Sequence, residues 1–166
     1  MVTVKDALEI LIYAEAHGIP LQIGGGWSVD ALLGEQTRPH NDIDLFLEKR
    51  YMPRYEELLK SRGFERVTVQ AAPSFLVTFQ DAKGRLIDLY LFEYGPESVY
   101  CIGDTTFPST AFSARGEIGG KAVRCVPAQD MVDYLTQVGV NRKTWHDVRT
   151  LCDRFDLALP FDFRPD

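Results

Sequence analysis

Cysteine is scarce: Cys101, Cys125 and Cys152 are the only three in 166 residues, and they form no CxxC or Cys/His arrangement. An odd, scattered set of this kind excludes a disulfide framework or a zinc ribbon and reads as buried, reduced thiols. Runs of basic residues are also missing, and the net charge is -6. A protein that works on nucleic-acid phosphates normally carries a basic face or stripe, so no nucleic-acid partner is expected. Nothing approaches the roughly 18 continuous apolar residues of a membrane span, so no membrane partner is expected either. Residues 1–18 mix acids and bases among their apolar positions and have no signal-peptide core or cleavage pattern. A cytoplasmic location is the expectation. Repeats and low-complexity segments are absent as well. What remains is the balance of an ordinary folded domain, 45% hydrophobic and 25% charged, on a chain long enough to bury a core without disulfides.

Periodicity divides that chain into short alternating elements. Residues 3–17 read as an amphipathic helix, with Thr3 as N-cap, Asp6 three residues on, and Gly18 as its stop. Pro20 blocks continuation, Leu21-Gln22-Ile23 is a short strand, and Gly24-Gly25-Gly26 breaks it before a helix from Trp27 to about Leu33. After a polar loop, residues 42–47 alternate as a strand does, and residues 54–62 read as a helix ended by Gly63. Three further strands are expected at 65–70, 75–80 and 85–92, the last two joined by a turn over 81–84. Residues 95–120, rich in Gly, Pro, Ser and Thr, read as a long irregular connection with one strand at 98–102. A strand at 121–126 and helices at 128–138 and 143–155 complete the pattern. The fold class is α+β: a small mixed β-sheet flanked by helices, with a short helical C-terminal part. The expected division is a core over 1–126 and a C-terminal segment over 127–166, which serves the acceptor side or a dimer contact.

Chemistry concentrates in three places. Asp42 and Asp44 flank Ile43 on a strand, so both carboxylates emerge on one face while Ile43, Leu45 and Leu47 point to the other. Adjacent carboxylates repel and raise each other's pKa unless a cation lies between them. Mg²⁺ suits that position, since it takes hard oxygen ligands, typically one or two carboxylates plus substrate phosphates. A solvent-facing acidic stripe is the plain alternative. Asp88 lies within the apolar run Leu86–Phe92, where a charge needs a reason. Beside the first strand it would be a third metal-facing carboxylate, or a general base for an incoming hydroxyl. Otherwise it is an inner-strand acid paired with Arg85 or Arg124. The third place is Gly24-Gly25-Gly26-Trp27-Ser28, a turn from strand into helix that lets backbone N–H groups approach a phosphate, with Ser28 as an added donor.

Together Gly25-Gly26-Trp27-Ser28-Val29-Asp30, Leu33-Gly34, Thr37-Arg38, His40 and Asp42-Ile43-Asp44 resemble the signature of the antibiotic nucleotidyltransferases that modify lincosamides, or aminoglycosides at the 2″ position. These belong to the DNA polymerase β-like nucleotidyltransferase superfamily. The likeness is close over residues 23–47, extends through Ile87-Asp88, and continues weakly in 118–125 and His146-Asp147-Val148. It implies a nucleotidyltransferase fold in which Gly25 and Gly26 lie against a triphosphate. Asp42, Asp44 and Asp88 would bind metal, two Mg²⁺ ions in all, with Asp88 as the base. Arg38 and His40 would meet the triphosphate, and Asp30 would order Arg38 or the loop. The reaction implied is transfer of a nucleoside monophosphate, AMP by expectation, from ATP or another nucleoside triphosphate to a hydroxyl of a small molecule, with release of pyrophosphate. Nucleotidylation of a protein or tRNA, as in toxin-type members, and a non-catalytic nucleotide-binding module are the alternatives.

The acceptor side departs from the lincosamide pattern. Where those enzymes carry His-x-Gly-Tyr and then an acidic cluster, this chain has Leu135-Thr136-Gln137-Val138, and only His146-Asp147 is kept. Tyr90, Phe92, Tyr94, Tyr134 and Trp145 are candidates to line an acceptor pocket. So short a C-terminal part also suggests a homodimer that completes the pocket.

Overall fold

A capping box starts the chain: Thr3 accepts from the Asp6 N–H while the Asp6 carboxylate accepts from the Thr3 backbone, and α1 runs Val4–Ala16. The computed structural model describes residues 1–98 and 100–164. After β1 (Leu21–Ile23) the chain forms α2 (Gly25–Leu33), β2 (Asp42–Glu48), α3 (Met52–Ser61), β3 (Phe64–Val67), β4 (Leu76–Asp81) and β5 (Leu86–Tyr94). The hairpin β6 (Tyr100–Ile102) and β7 (Thr105–Phe107) follows, then β8 (Ala114–Ile118), β9 (Lys121–Cys125), α4 (Ala128–Val138) and α5 (Arg142–Phe155). The strand order is β3-β4-β5-β2-β1-β9-β8, with β6 extending the far end of β5. The β2–β5 and β1–β9 pairs are parallel and the other strand pairs antiparallel. The sheet is mixed, as expected. No described helix is long and apolar enough to cross a membrane.

Strand alternation gives the sheet two unlike faces. Ile43, Leu45, Leu47, Ile87, Leu89, Val77 and Phe79 point to one side and pack with Ala7, Ile10, Leu11 and Ala14 of α1 and Tyr55 and Leu59 of α3. The opposite face carries Asp42, Asp44 and Asp88, with a cluster of aromatic side chains beyond them: Phe46, Phe92, Tyr100 and Phe112. A further core joins α2 to the C-terminal helices, where Val29 packs with Met131, Val132, Leu135, Val148 and Leu151. Segment 127–164 therefore shares its core with the helix that follows the glycine turn.

Most expected elements stand within a residue or two of their places. Two differences matter. The glycine turn is part of α2, which starts at Gly25 with Gly24 as N-cap rather than at Trp27. The connection 95–120 holds three strands, not one. The strand expected at 98–102 is realised over 100–102; Val99 lies outside the described residues, and Ser98 ends a short 3-10 turn. β8 was hidden by Gly116, whose composition signal is that of a loop. A Cβ there would lie 2.4 Å from the Ala31 carbonyl oxygen, so glycine lets β8 press against the α2 backbone.

Candidate active site

Register brings the acidic residues together. β2 and β5 run parallel with Asp44 directly beside Asp88, and Asp42 lies one pleat away on the same face. Neither arginine weighed as a structural partner reaches Asp88. Arg85 is bound by Asp6, Glu9 and Asp81, and Arg124 donates through Nε to the Phe112 carbonyl at 3.2 Å. Asp88 instead accepts a 2.5 Å hydrogen bond from Thr78 Oγ1, its cross-strand neighbour on β4.

The electrostatics reflect this crowding. Burial, and then the charges of Asp42 and Asp88, push the Asp44 carboxyl up to about 7, against smaller opposing effects of Tyr90 and Arg38. Asp88 is raised by burial and by Asp42, with the Thr78 hydroxyl working the other way. Burial and the Asp44 charge also raise Tyr134 on α4, which puts this half-exposed tyrosine near the carboxylates from the C-terminal side. Among the described residues no three His, Cys, Asp or Glu side chains close around a point by themselves. Asp42, Asp44 and Asp88 stand as a row of hard oxygen donors on one face of the sheet.

The start of α2 adjoins that row. Gly24 donates its N–H to the Asp44 carbonyl at 2.9 Å, which fastens the turn to β2. Among the described residues no side chain caps this helix, and the first-turn N–H groups of Gly25, Gly26 and Trp27 have no capping acceptor there. A Cβ on Gly25, where φ is +52°, would lie 1.8 Å from Asp44 Oδ2. One residue on, a Cβ on Gly26 would lie 2.3 Å from Arg38 Nη2 and 2.6 Å from the His40 ring. Consecutive glycines are therefore flanked by a carboxylate and by a guanidinium.

Ser28, Arg38 and His40 lie beneath the turn and are largely committed to the protein. Ser28 is fully buried and its Oγ accepts the Val126 N–H at 3.2 Å, which ties α2 to the end of β9. His40 is 3% exposed and stacked near Trp27; its Nε2 donates to Asp30 Oδ2 at 2.5 Å and its Nδ1 accepts from Arg38 Nη1 at 3.1 Å. Asp30 also accepts from the Thr37 N–H and hydroxyl, so it orders the loop as expected of it. Arg38 takes a different partner. Its Nε and Nη2 each donate to Asp147 of α5 at 2.7 Å, and Nη1 also reaches the Pro39 carbonyl at 3.3 Å. One Nη2 hydrogen is left over. Trp27 Nε1 donates to the Asp42 carbonyl at 3.1 Å and steadies the start of β2.

Sequence reasoning did not single out two residues of this network. Thr78 is visible only once β4 is registered against β5. Asp147 was noted only as part of a weak family echo, and no local pattern pairs it with an arginine 109 positions away.

Comparison with known proteins bears on this geometry. A sequence model of the family described as Aminoglycoside-2''-adenylyltransferase matches residues 6–151. A 2''-aminoglycoside nucleotidyltransferase of Klebsiella pneumoniae is 36% identical over 117 residues, which are 70% of this chain and 63% of that protein. The matched stretch thus spans somewhat under two thirds of that relative. The crystal structure of ANT(2'')-Ia in complex with adenylyl-2''-tobramycin superposes with a TM-score of 0.74 at 26% identity, covering 92% of this chain and 88% of that one. The lincomycin-bound lincosamide adenylyltransferase LnuA gives a TM-score of 0.78 over 90% of this chain and 96% of that one. At 18% identity that likeness speaks for the fold alone.

Proposed function

The chain belongs to the aminoglycoside-2''-adenylyltransferase family, and we propose that it transfers AMP from Mg²⁺-bound ATP to a hydroxyl of an aminoglycoside-type antibiotic, releasing pyrophosphate. The observation that carries this reading is the meeting of three carboxylates on neighbouring strands with an uncapped glycine-rich helix start. The acceptor is taken from the family. The relative's name speaks for a 2''-hydroxyl, and of the lincosamide pattern in α4 and α5 this chain keeps only His146-Asp147.

The residues divide the work as follows. The N–H groups of Gly25, Gly26 and Trp27 hold phosphate oxygens, helped by the positive end of α2. Gly25 and Gly26 permit that approach because a side chain at either position would collide with Asp44 or Arg38. Asp42, Asp44 and Asp88 would hold the Mg²⁺ ions; the fit rests on their hard oxygens, on their register on one face, and on the burial and neighbouring carboxylates that together push Asp44 up. Bound there, Mg²⁺ would neutralise charge on the transferring phosphate and the departing pyrophosphate. Asp88, raised by burial and steadied by Thr78, accepts the proton of the acceptor hydroxyl. The oxygen so exposed bonds to the α-phosphorus in line, and the bond to the pyrophosphate oxygen breaks. Tyr134 and Tyr90, which both feel the Asp44 charge, would lie on the side from which the acceptor hydroxyl reaches Asp88. We extend the proposal to a homodimer through the exposed Val138 of α4, Trp145 of α5 and Val140 in the link between them, which a one-chain mass in light scattering would refute.

The test is pyrophosphate release from ATP with Mg²⁺ against a panel of aminoglycosides and lincosamides, with Asp44→Asn alongside. Release that needs both an aminoglycoside and Asp44 supports the reading. Release indifferent to Asp44, or none with any acceptor while ATP still binds, overturns it.

A further inference from the structure

The Arg38–Asp147 pair joins the C-terminal helix α5 to the loop that leads into β2. Both of its hydrogen bonds are 2.7 Å, and the side chains are 17% and 3% exposed. A buried fork-on-carboxylate pair is strong when intact, and loss of one partner leaves the other charge seeking a replacement. For Arg38 the replacement is close at hand. Its Nη2 lies over Gly26 while Asp44 Oδ2 lies over Gly25, the preceding residue. Asp147, Asp30 and Asp42 all act on the charge of Arg38, and Asp44 feels Arg38 in return. Within the described residues Arg38 therefore stands between a carboxylate that holds it and a row of carboxylates that attracts it.

We propose that Asp147 is a positioning residue that retains Arg38 beside the glycine turn and so keeps its guanidinium from occupying the Asp42/Asp44 carboxylates in place of a divalent cation. The inference rests on the reading of Asp42, Asp44 and Asp88 as the metal-facing set. It gives α5 a part in the nucleotide half of the site: the C-terminal segment supplies the counter-charge that keeps the metal position free. The rest of the network suits this role. His40 takes Arg38 Nη1 from the side and is itself fixed by Asp30, so the guanidinium is held on two edges. A swing toward Asp42 must break the Asp147 fork first.

The inference separates from a merely structural role through a reversal. Asp147→Asn removes the counter-charge and leaves the cation held by His40 and the Pro39 carbonyl alone. Arg38→Gln together with Asp147→Asn removes the competitor, so the double variant recovers what the single one lost. A structural strap gives the opposite order, with the double variant no better than the single.

The readout is binding of Mn²⁺ in the presence of α,β-methylene-ATP, followed by electron paramagnetic resonance, with thermal denaturation to confirm folding. Asp147→Asn is expected to weaken Mn²⁺ binding by about tenfold, the lower end of what loss of a supporting group costs a metal site. The double variant is expected to return most of that loss. Arg38→Lys provides a second route that keeps Asp147. Lysine cannot make the fork and is released more readily, so it is expected to weaken Mn²⁺ binding as Asp147→Asn does. Wild-type affinity in both Asp147→Asn and Arg38→Lys overturns the inference, as does a double variant as weak as the single. Asp44→Asn is the control for the underlying reading. If Mn²⁺ binding does not depend on Asp44, the metal-facing assignment falls and the inference with it. If it depends on Asp44 but ignores Asp147, only the inference falls.

Discussion

Thr78 and Asp88 face each other across the β4–β5 pair, and the threonine hydroxyl donates to Asp88 Oδ1 at 2.5 Å. The bond fixes one carboxylate oxygen and leaves Oδ2 open for the proposed role in catalysis. Thr78 is 6% exposed, so valine fits its place with little change of volume. Thr78→Val is expected to lower kcat about tenfold, the scale of one hydrogen bond to a charged group, and to lower Tm by a few degrees because Asp88 loses a partner. Thr78→Ser retains the donor and should keep most of the activity. The donor holds the pKa of Asp88 down, so its loss raises that pKa and moves the rising limb of the pH–rate profile to higher pH. Wild-type kcat and an unmoved limb in Thr78→Val would remove Thr78 from the mechanism.

Asp44→Asn should separate stability from function. Asp44 titrates near 7 in the folded protein and near 4 in an unfolded chain. With the folded value raised, the folded state holds the proton more tightly. Ionisation therefore costs stability progressively from about pH 4 to about pH 7, and the cost stays constant above. Without metal, Asp44→Asn should accordingly melt higher than wild type at pH 8 and converge with it near pH 4. Mg²⁺ with ATP should raise the Tm of wild type and not of the variant. Turnover should be lost. A variant less stable than wild type at pH 8 would mean that burial beside Asp42 and Asp88 does not strain the ionised Asp44.

The sequence made the chemistry visible where it is local and left it hidden where it depends on register or long-range packing. Asp42, Ile43 and Asp44 could be assigned to faces because strand alternation needs no partner. The pairing of Asp44 with Asp88 was an expectation conditional on β5 lying beside β2, which it does. Arg38 and His40 sit in a loop, where sequence alone leaves open whether a cation turns outward or inward. Both turn inward, since Asp30 and Asp147 draw them there from α2 and α5. Ser28 was misleading for a related reason: its position after the glycines suggests a phosphate donor, but one helical turn carries it to the side that meets Val126. The strands β7 and β8 were lost in a Gly- and Thr-rich segment whose composition reports close packing as much as it reports irregular chain.

Gly25→Ala tests the phosphate cradle. The φ of +52° at Gly25 is one that an alanine adopts with strain, and its Cβ would fall 1.8 Å from Asp44 Oδ2. The carboxylate must move, or the turn must. Either shift misplaces a reacting group by an ångström or so, for which a loss of about a hundredfold in kcat/KM is expected. Gly34→Ala is the comparison. It also has positive φ, at +78°, but nothing lies within 4 Å of the new Cβ. Its effect should be confined to Tm. Similar losses of activity in both variants would mean that backbone strain, and not the approach to Asp44, makes Gly25 necessary.

Arg85 anchors the face of the sheet opposite to the chemistry, and its removal should reshape the acid limb of stability. The guanidinium is bound by Asp81 at 2.6 Å, by Asp6 at 3.0 Å and by Glu9 at 3.3 Å, and lies over the Phe64 ring. At Asp81, burial favours the protonated form, but hydrogen bonds from the Arg85 backbone and guanidinium outweigh it and the pKa is lowered. At Asp6 the Thr3 hydroxyl leads and Arg85 adds to it; at Glu9 burial is overcome by Arg62 and Arg85. All three carboxyls therefore sit below their unfolded values of about 4. Their contribution is complete above that pH and disappears as pH falls through the lowered folded values. Arg85→Met leaves the nearly buried Asp81 without its cation, which at about 3 kcal/mol lowers Tm by about 6–12 °C at pH 7. Because the arginine is what depresses these carboxyls most consistently, the variant should also lose less stability than wild type between pH 4 and pH 2. Parallel Tm curves for the two proteins over that range would show that the three acids owe their low pKa to other neighbours.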